Sequence, residues 1–218
     1  MPKPADLPLD IIYEDEDVLA LNKPAAMPVH ESRNHRGDTL SNAVANYMKG
    51  KRDSAFRAVF RLDRDTSGIV LTAKNELAAA KLAGKIKKDY YAVVCGETAG
   101  KGTIDAPIRR LGDSIIKRGV FEDGDSAITH YESIKTNGKY TLLKINLETG
   151  RTHQIRVHFS NIGHPLAGDD LYGGSRADIA RQALHCKAIC FTHPVKGKKI
   201  TLECDFPPDM EKLIEEMK

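Results

Sequence analysis

Two short stretches of this 218-residue chain gather residue types that can do chemistry. In Arg61-Leu62-Asp63-Arg64-Asp65-Thr66-Ser67-Gly68, two carboxylates stand among two arginines, directly ahead of an apolar run. A carboxylate serves as nucleophile or general base, and a nearby guanidinium keeps it ionised. A loop on a rigid scaffold suits such a site; an ion-paired turn is the plain structural alternative. The second stretch is Thr149-Gly150-Arg151-Thr152-His153-Gln154-Ile155-Arg156-Val157-His158. On a helix, Arg156 lies about 100° around from Ile155. Thr152, Arg156 and Ser160 then form a polar stripe at four-residue spacing. An arginine there is able to enter a cleft and pair with a carboxylate; the alternative is a solvated stripe on an ordinary amphipathic helix.

Other chemistries find little support. His153 and His158 are five residues apart, whereas zinc-binding helices use i, i+4 pairs. His164, His185 and His193 follow at irregular spacing, and Cys186-x-x-x-Cys190 falls within a strand pattern. No metal site is expected. Neither phosphate-cradling glycine motif is present, nor a G-x-S-x-G nucleophile elbow.

The elements that must position these stretches read as follows. Ile11-Ile12-Tyr13 and Val18-Leu19-Ala20-Leu21 are strands about an acidic turn. Asp38 or Thr39 caps a helix with Leu40, Val44, Tyr47 and Met48 on one face, ended by Gly50. Residues 59–62 read as extended and 69–72 as a buried strand; Asn75 caps a short helix running to Gly84, and 90–94 is a strand. From Gly96 to Gly124, glycine, proline and charge break the pattern. Strands at 127–134 and 140–147 flank Asn137-Gly138, a strong hairpin signal. A helix with Ile155, Phe159 and Ile162 buried ends at Gly163. Strands at 184–191 and 199–204 precede a final helix facing the core with Met210, Leu213, Ile214 and Met217. The expected class is α+β with a mixed, mostly antiparallel sheet.

Composition sets the outer bounds. With 41% hydrophobic and 29% charged residues, the chain is neither disordered nor fibrous. No apolar run approaches the roughly 18 residues of a membrane span, and Met1-Pro2-Lys3-Pro4-Ala5-Asp6 lacks a signal-peptide pattern. Four scattered cysteines suit a reducing cytoplasm. The net charge is only +3, but basic residues cluster. One group is Lys49, Lys51, Arg52, Arg57, Arg61 and Arg64; a second is Lys81, Lys85, Lys87 and Lys88; a third is Arg109, Arg110, Lys117 and Arg118. Such patches attract phosphates or simply solvate a face.

The Arg61-to-Gly68 stretch resembles the catalytic motif of the RluA-type RNA pseudouridine synthases, and further matches occur in that family's order. Asn22-Lys23-Pro24 with Pro28-Val29-His30 is similar to its N-terminal signature, and Lys88-Asp89-Tyr90-Tyr91-Ala92 to its K-x-Y-x-A stretch. The Thr149-to-His158 stretch with Gly163-His164-Pro165-Leu166-Ala167-Gly168-Asp169 resembles its most distinctive block; Leu184-His185 and Thr192-His193-Pro194 match its closing strands. The resemblance spans residues 10–208 of a single catalytic domain, 1–218. It implies two subdomains with a central RNA-binding cleft, and no separate N-terminal RNA-binding domain.

By the same resemblance, Asp63 is the catalytic aspartate, Tyr90 packs on the target base, and Arg156 pairs with Asp63. Arg61, Arg64, Arg151 and His153 fall to substrate binding. Phe60 stands where the family usually has histidine, and the segment between Ala80 and Tyr90 is short. The implied reaction detaches uracil from C1′ of a flipped uridine and reattaches it through C5. It is an isomerisation needing no cofactor or metal. Asp63 either attacks C1′ or takes a proton from C2′, and the base for the C5 proton stays open. The expected partner is structured RNA, ribosomal or transfer, with no membrane and the enzyme a monomer. A catalytically silent RNA-binding protein of the same fold is the alternative.

Overall fold

The computed structural model describes residues 2–50, 55–98, 100–112 and 114–217. Lys51 and Arg52 of the first basic group lie outside them. The chain divides into two compact units, Met1–Lys88 with Cys186–Asp205, and Asp89–His185 with Phe206–Lys218.

The first unit opens with β1 (Ile11–Glu14) and β2 (Val18–Lys23), paired antiparallel about the acidic turn. The helix α1 (Leu40–Tyr47) starts at Thr39, whose hydroxyl accepts from the Asn42 backbone in a capping box, so Thr39 and not Asp38 is the cap. β3 (Arg57–Ala58) and β4 (Ser67–Ala73) follow. The extended segment expected at 59–62 is displaced: the ladder holds Arg57 and Ala58, Val59 N still donates to the Leu71 carbonyl (2.9 Å), and the chain bends at 59–60. β4 is buried along its whole length and pairs with β2, Val18 opposite Ala73 and Lys23 opposite Gly68. α2 (Glu76–Leu82) is capped by Asn75 as its sequence implies. β11 (Leu184–Thr192) lies beside β4, and β12 (Lys199–Glu203) pairs antiparallel with β11.

In the second unit, β10 (Tyr140–Leu147) lies between β5 (Lys87–Cys95) and β9 (Ile128–Thr136), and β6 (Lys101–Asp105) borders β9; all three pairings are antiparallel. The unit is built around the β9–β10 hairpin, in the order β5-β10-β9-β6. Asn137 and Gly138 make the β9–β10 turn, with Gly138 at φ +82° and Asn137 Oδ1 accepting from Tyr140 N. β7 (Ile108–Arg110) and β8 (Arg118–Val120) form a separate ribbon. The stretch from Gly96 to Gly124 therefore contains three strands where none was expected. They are short and largely exposed, so neither alternation nor an apolar run marks them. α3 (Gln154–Asn161) buries Ile155, Val157 and Phe159, but Ile162 lies exposed beyond its end. α4 (Pro208–Glu215) seals the unit's core with Met210 and Leu213, joined by Met217, against Val93, Leu142 and Ala167; Ile214 packs on the margin. No helix of the described residues is long and apolar enough to cross a membrane. The α+β class holds, with a mixed, mostly antiparallel sheet.

In the first unit the acidic turn is tied down by one carboxylate. Asp15 Oδ2 accepts from Tyr13 Oη (2.8 Å), His193 Nε2 (2.7 Å) and Lys196 Nζ (3.0 Å). Its Oδ1 accepts from the backbone of Asp17 and Val18. Burial alone raises the Asp15 pKa, but the hydrogen bonds from Asp17, Lys196, Tyr13 and Val18 outweigh it and hold the carboxyl well below the usual range. A depressed carboxyl stabilises the fold above the unfolded pKa of about 4 and loses that contribution as pH falls through the folded value. Asp15→Asn is expected to cost about 2 kcal/mol at pH 7, and denaturant titrations from pH 7 to pH 2 should show the gap to wild type closing below pH ~4. A gap independent of pH would contradict this account.

Candidate active site

The Asp63 loop lies in the first unit. Leu62 is buried and anchors it, Asp63 is half-buried, and Arg61 and Arg64 are exposed. Thr66 N donates to the Asp63 carbonyl (3.1 Å), closing a turn that lifts the aspartate out of the core. Arg64 forks onto Asp65, Nε to Oδ1 at 3.0 Å and Nη2 to Oδ2 at 2.8 Å. An ion-paired turn is thus present, with Arg64 paired to Asp65. Beneath it, the fully buried Lys23 donates from Nζ to the carbonyls of Pro24 (2.8 Å), Met27 (2.8 Å) and Arg64 (2.9 Å). Gly68 closes the stretch at φ +111°, where a Cβ would collide with the Cys186 backbone. That close approach explains why the motif ends in glycine. Just ahead of it, Lys88 Nζ stands 4.8 Å over the Phe60 ring, and burial holds that ammonium below the ordinary lysine pKa against the opposing pull of Cys186.

The other candidates lie in the second unit. Tyr90 is buried on β5 and pairs in register with Ile145. Arg156 is buried on α3 and forks onto Asp169, Nε to Oδ2 at 2.6 Å and Nη2 to Oδ1 at 2.8 Å. The stripe of Thr152, Arg156 and Ser160 is therefore not solvated as a whole. Thr152 is exposed, Arg156 is sealed in, and Ser160 Oγ donates to the Tyr172 carbonyl (2.7 Å). Asp169 is delivered by a tight segment in which Gly168 (φ +77°) and Gly174 leave no room for a side chain against neighbouring backbone. Breaking a buried pair of this kind typically costs about 3–5 kcal/mol.

Arg151 is exposed, with Nε donating to the Ser126 carbonyl (3.1 Å). His153 starts α3 in the left-handed region at φ 58°. The Tyr172 hydroxyl accepts from Arg118 N (2.9 Å), leaving its proton for His153 Nδ1 at 2.8 Å. Gln154 pins this turn: its Oε1 accepts from Thr149 Oγ1 and Arg151 N, and its Nε2 donates to the Ile128 carbonyl on β9.

The histidine arrangement opposes a metal. His158 Nε2 contacts the Ala106 carbonyl (2.9 Å) and so must donate, while Nδ1 accepts from Thr129. Burial lowers its pKa, in keeping with a neutral ring. Asp15, Asp17 and His193 cluster closely enough to suggest a cation site. However, His193 Nδ1 accepts backbone N–H groups from Val195 and Lys196, so Nε2 carries the proton it gives Asp15. The Lys196 ammonium already supplies a positive charge to that carboxylate.

The model of the RNA pseudouridylate synthase family matches residues 17–161. The chain belongs to that family. Its members are isomerases, and the RluA-type resemblance of the motifs is borne out by relatives. An "uncharacterized RNA pseudouridine synthase YjbO" of Bacillus subtilis is 46% identical over 216 residues, 95% of this chain and 76% of the relative. The "ribosomal large subunit pseudouridine synthase D" of Escherichia coli K12 is 38% identical over 236 residues, 99% of this chain and 72% of the relative. The human protein titled RNA Pseudouridylate Synthase Domain Containing 1 shares the fold, with a TM-score of 0.75 at 23% identity over 100% of this chain and 97% of its own.

For this pseudouridine synthase, sequence reasoning missed the anchoring roles of Lys23, Gln154 and Asp169. Lys23 and Asp169 stood inside matched motifs, but nothing local told which atoms they hold. Lys23→Met removes the donor shared by three carbonyls. It is expected to destabilise the protein by roughly 3 kcal/mol, lowering Tm by about 6–12 °C in thermal unfolding. Turnover should fall even at temperatures where the variant stays folded, because the Asp63 loop loses its floor. Wild-type stability in that variant would show that the lysine holds nothing.

Proposed function

We propose that this enzyme converts specific uridines of structured RNA to pseudouridine with Asp63 as its catalytic carboxylate. Between ribosomal and transfer RNA, the relatives named for the large ribosomal subunit favour the ribosomal target; a cytoplasmic location follows from that substrate. The observation that carries the proposal is Asp63 itself, presented half-exposed on a loop whose other anchors are buried.

In the reaction, the C1′–N1 bond breaks, uracil turns, C5 bonds to C1′, the C5 proton leaves and N1 takes a proton up. Atoms and electrons balance without oxidant or cofactor. The ionised Asp63 either attacks C1′ or removes the C2′ proton to give a glycal. Arg156, already clamped by Asp169, is assigned to hold Asp63 charged and aimed. Tyr90 offers a ring face to the extruded base, as RNA-binding proteins often do. Arg61, Arg64, Arg151 and His153 are assigned to the flanking RNA.

Asp63→Asn keeps shape and removes the charge, so both routes should close together. Turnover on RNA containing the mapped uridine should fall at least 1,000-fold, roughly 4 kcal/mol of barrier, with affinity little changed because phosphates supply much of the binding. Asp65→Asn should keep most turnover. Near-normal turnover by Asp63→Asn would remove this residue from the chemistry, and a wild type that binds RNA without forming pseudouridine would favour the silent binding protein.

Tyr90→Phe separates stacking from proton transfer. If the hydroxyl serves only to pack, tritium release from C5-labelled uridine should stay within a few-fold of wild type. Selective loss of that release, with glycosidic cleavage intact, would instead make Tyr90 the C5 base.

A further inference from the structure

In the second unit, the β7–β8 ribbon and the turn before α3 line an open pocket of about 360 Å³ with Arg109, Arg110, Arg118 and Arg151, together with Asp125 and Thr152. We propose that this pocket binds backbone phosphates of the RNA substrate. The inference rests on RNA being the substrate, and it extends the site from Arg151 to Arg109, Arg110 and Arg118, which the sequence reading did not assign to RNA binding.

Three observations carry it. Arg110 and Arg118 are direct cross-strand partners, so both guanidinium stems leave the same face of the ribbon. Like charges in that position repel and destabilise a two-stranded ribbon, and a polyanion lying across both removes the penalty. The charge is also in excess. Arg109 Nε pairs with Asp123 Oδ1 at 2.7 Å, and Arg151 Nη1 lies 3.9 Å from Asp125 Oδ2. Four cations against these two carboxylates leave two positive charges for a ligand.

Three of the four guanidiniums, those of Arg109, Arg118 and Arg151, are also held in advance. Arg109 Cζ lies 3.8 Å from the Phe121 ring centroid, and its Nη1 donates to the Arg110 carbonyl. A Cβ on Gly119, opposite Arg109 in register, would press on that same Phe121 ring. Arg151 is tethered to the Ser126 carbonyl and Arg118 Nη1 to those of Ile116 and Lys117. The ribbon itself is fixed by the reciprocal Ile108–Asp125 backbone bonds and by Arg118 N on the Tyr172 hydroxyl. Pre-ordering of this kind lowers the entropy lost on binding, and planar forked donors suit phosphodiester oxygens.

The test compares wild type with Arg110→Ala/Arg118→Ala for binding to a fluorescein-labelled 20-nucleotide oligouridylate across a salt series. Each lost phosphate contact should make the log–log salt slope shallower by about 0.7. The double variant should therefore bind about 20-fold more weakly near 0.1 M salt, with Tm equal to or above wild type as the repulsion is relieved. Arg110→Lys/Arg118→Lys should recover most of the slope, and Lys212→Ala on α4 should bind like wild type. A methylphosphonate oligouridylate, lacking backbone charge, should not distinguish wild type from the double variant. Wild-type affinity and slope in the double variant would overturn the proposal, as would equal discrimination against the uncharged oligomer. Pseudouridine formation is scored separately on cellular ribosomal RNA. Wild type that binds with the expected salt response but forms no pseudouridine fails the enzymatic reading alone, whereas an active wild type whose double variant binds unchanged fails the phosphate pocket alone.

Discussion

An ammonium sealed from water must replace its hydration shell with protein oxygens or lose its charge. Lys23 meets that demand with the carbonyls of Pro24, Met27 and Arg64. One buried charge thus joins the end of β2, the turn behind it and the loop bearing Asp63. Because Lys23 lies opposite Gly68 in the ladder, the same contact fixes where that loop gives way to β4. Gly68 then allows the Cys186 backbone to come close enough to hold β4 on its other edge. The Asp63 loop has no regular structure of its own, and its shape depends on this anchor from below.

The second unit applies the same physics to a guanidinium. The Arg156–Asp169 fork is buried on both sides, where replacing it by apolar groups of like volume would often be neutral or better for stability. Its value is directional. A planar guanidinium clamped along one edge is fixed in orientation, a property apolar packing does not offer. Gln154 does comparable work on the preceding turn with an uncharged amide. Among the described residues, no buried side-chain nitrogen or oxygen lacks a partner, so these polar anchors are complete where a half-satisfied network would be costly.

The surface follows a different rule. Inside, Lys23 is met by carbonyls and Arg156 by Asp169. On the β7–β8 ribbon, Arg110 faces Arg118 across the ladder. Water and salt moderate that repulsion, which lets a folded protein keep a local excess of positive charge for a polyanion that arrives later.

Periodicity and local capping were readable from the sequence because they depend on neighbours within a few residues. The alternation and apolar runs of β2, β4, β9 and β10, the Asn137-Gly138 turn, the caps at Thr39 and Asn75, and the apolar face of α4 all belong to that class. So do the motifs that identify the family. The ribbon strands β7 and β8 were not readable, since a short exposed strand among glycines and charges buries too little to impose a pattern. Arg156 carried two local readings, an arginine entering a cleft to pair with a carboxylate or part of a solvated stripe; the structure buries it on Asp169, thirteen residues away across a glycine-bound turn. Lys23 is the limiting case, a charged residue at the end of a strand whose partner Arg64 lies 41 residues further along. Sequence determines how each segment prefers to fold because those preferences are local energies. Which buried charge meets which oxygen is decided only when distant segments pack, because that energy exists only once water has been excluded between them.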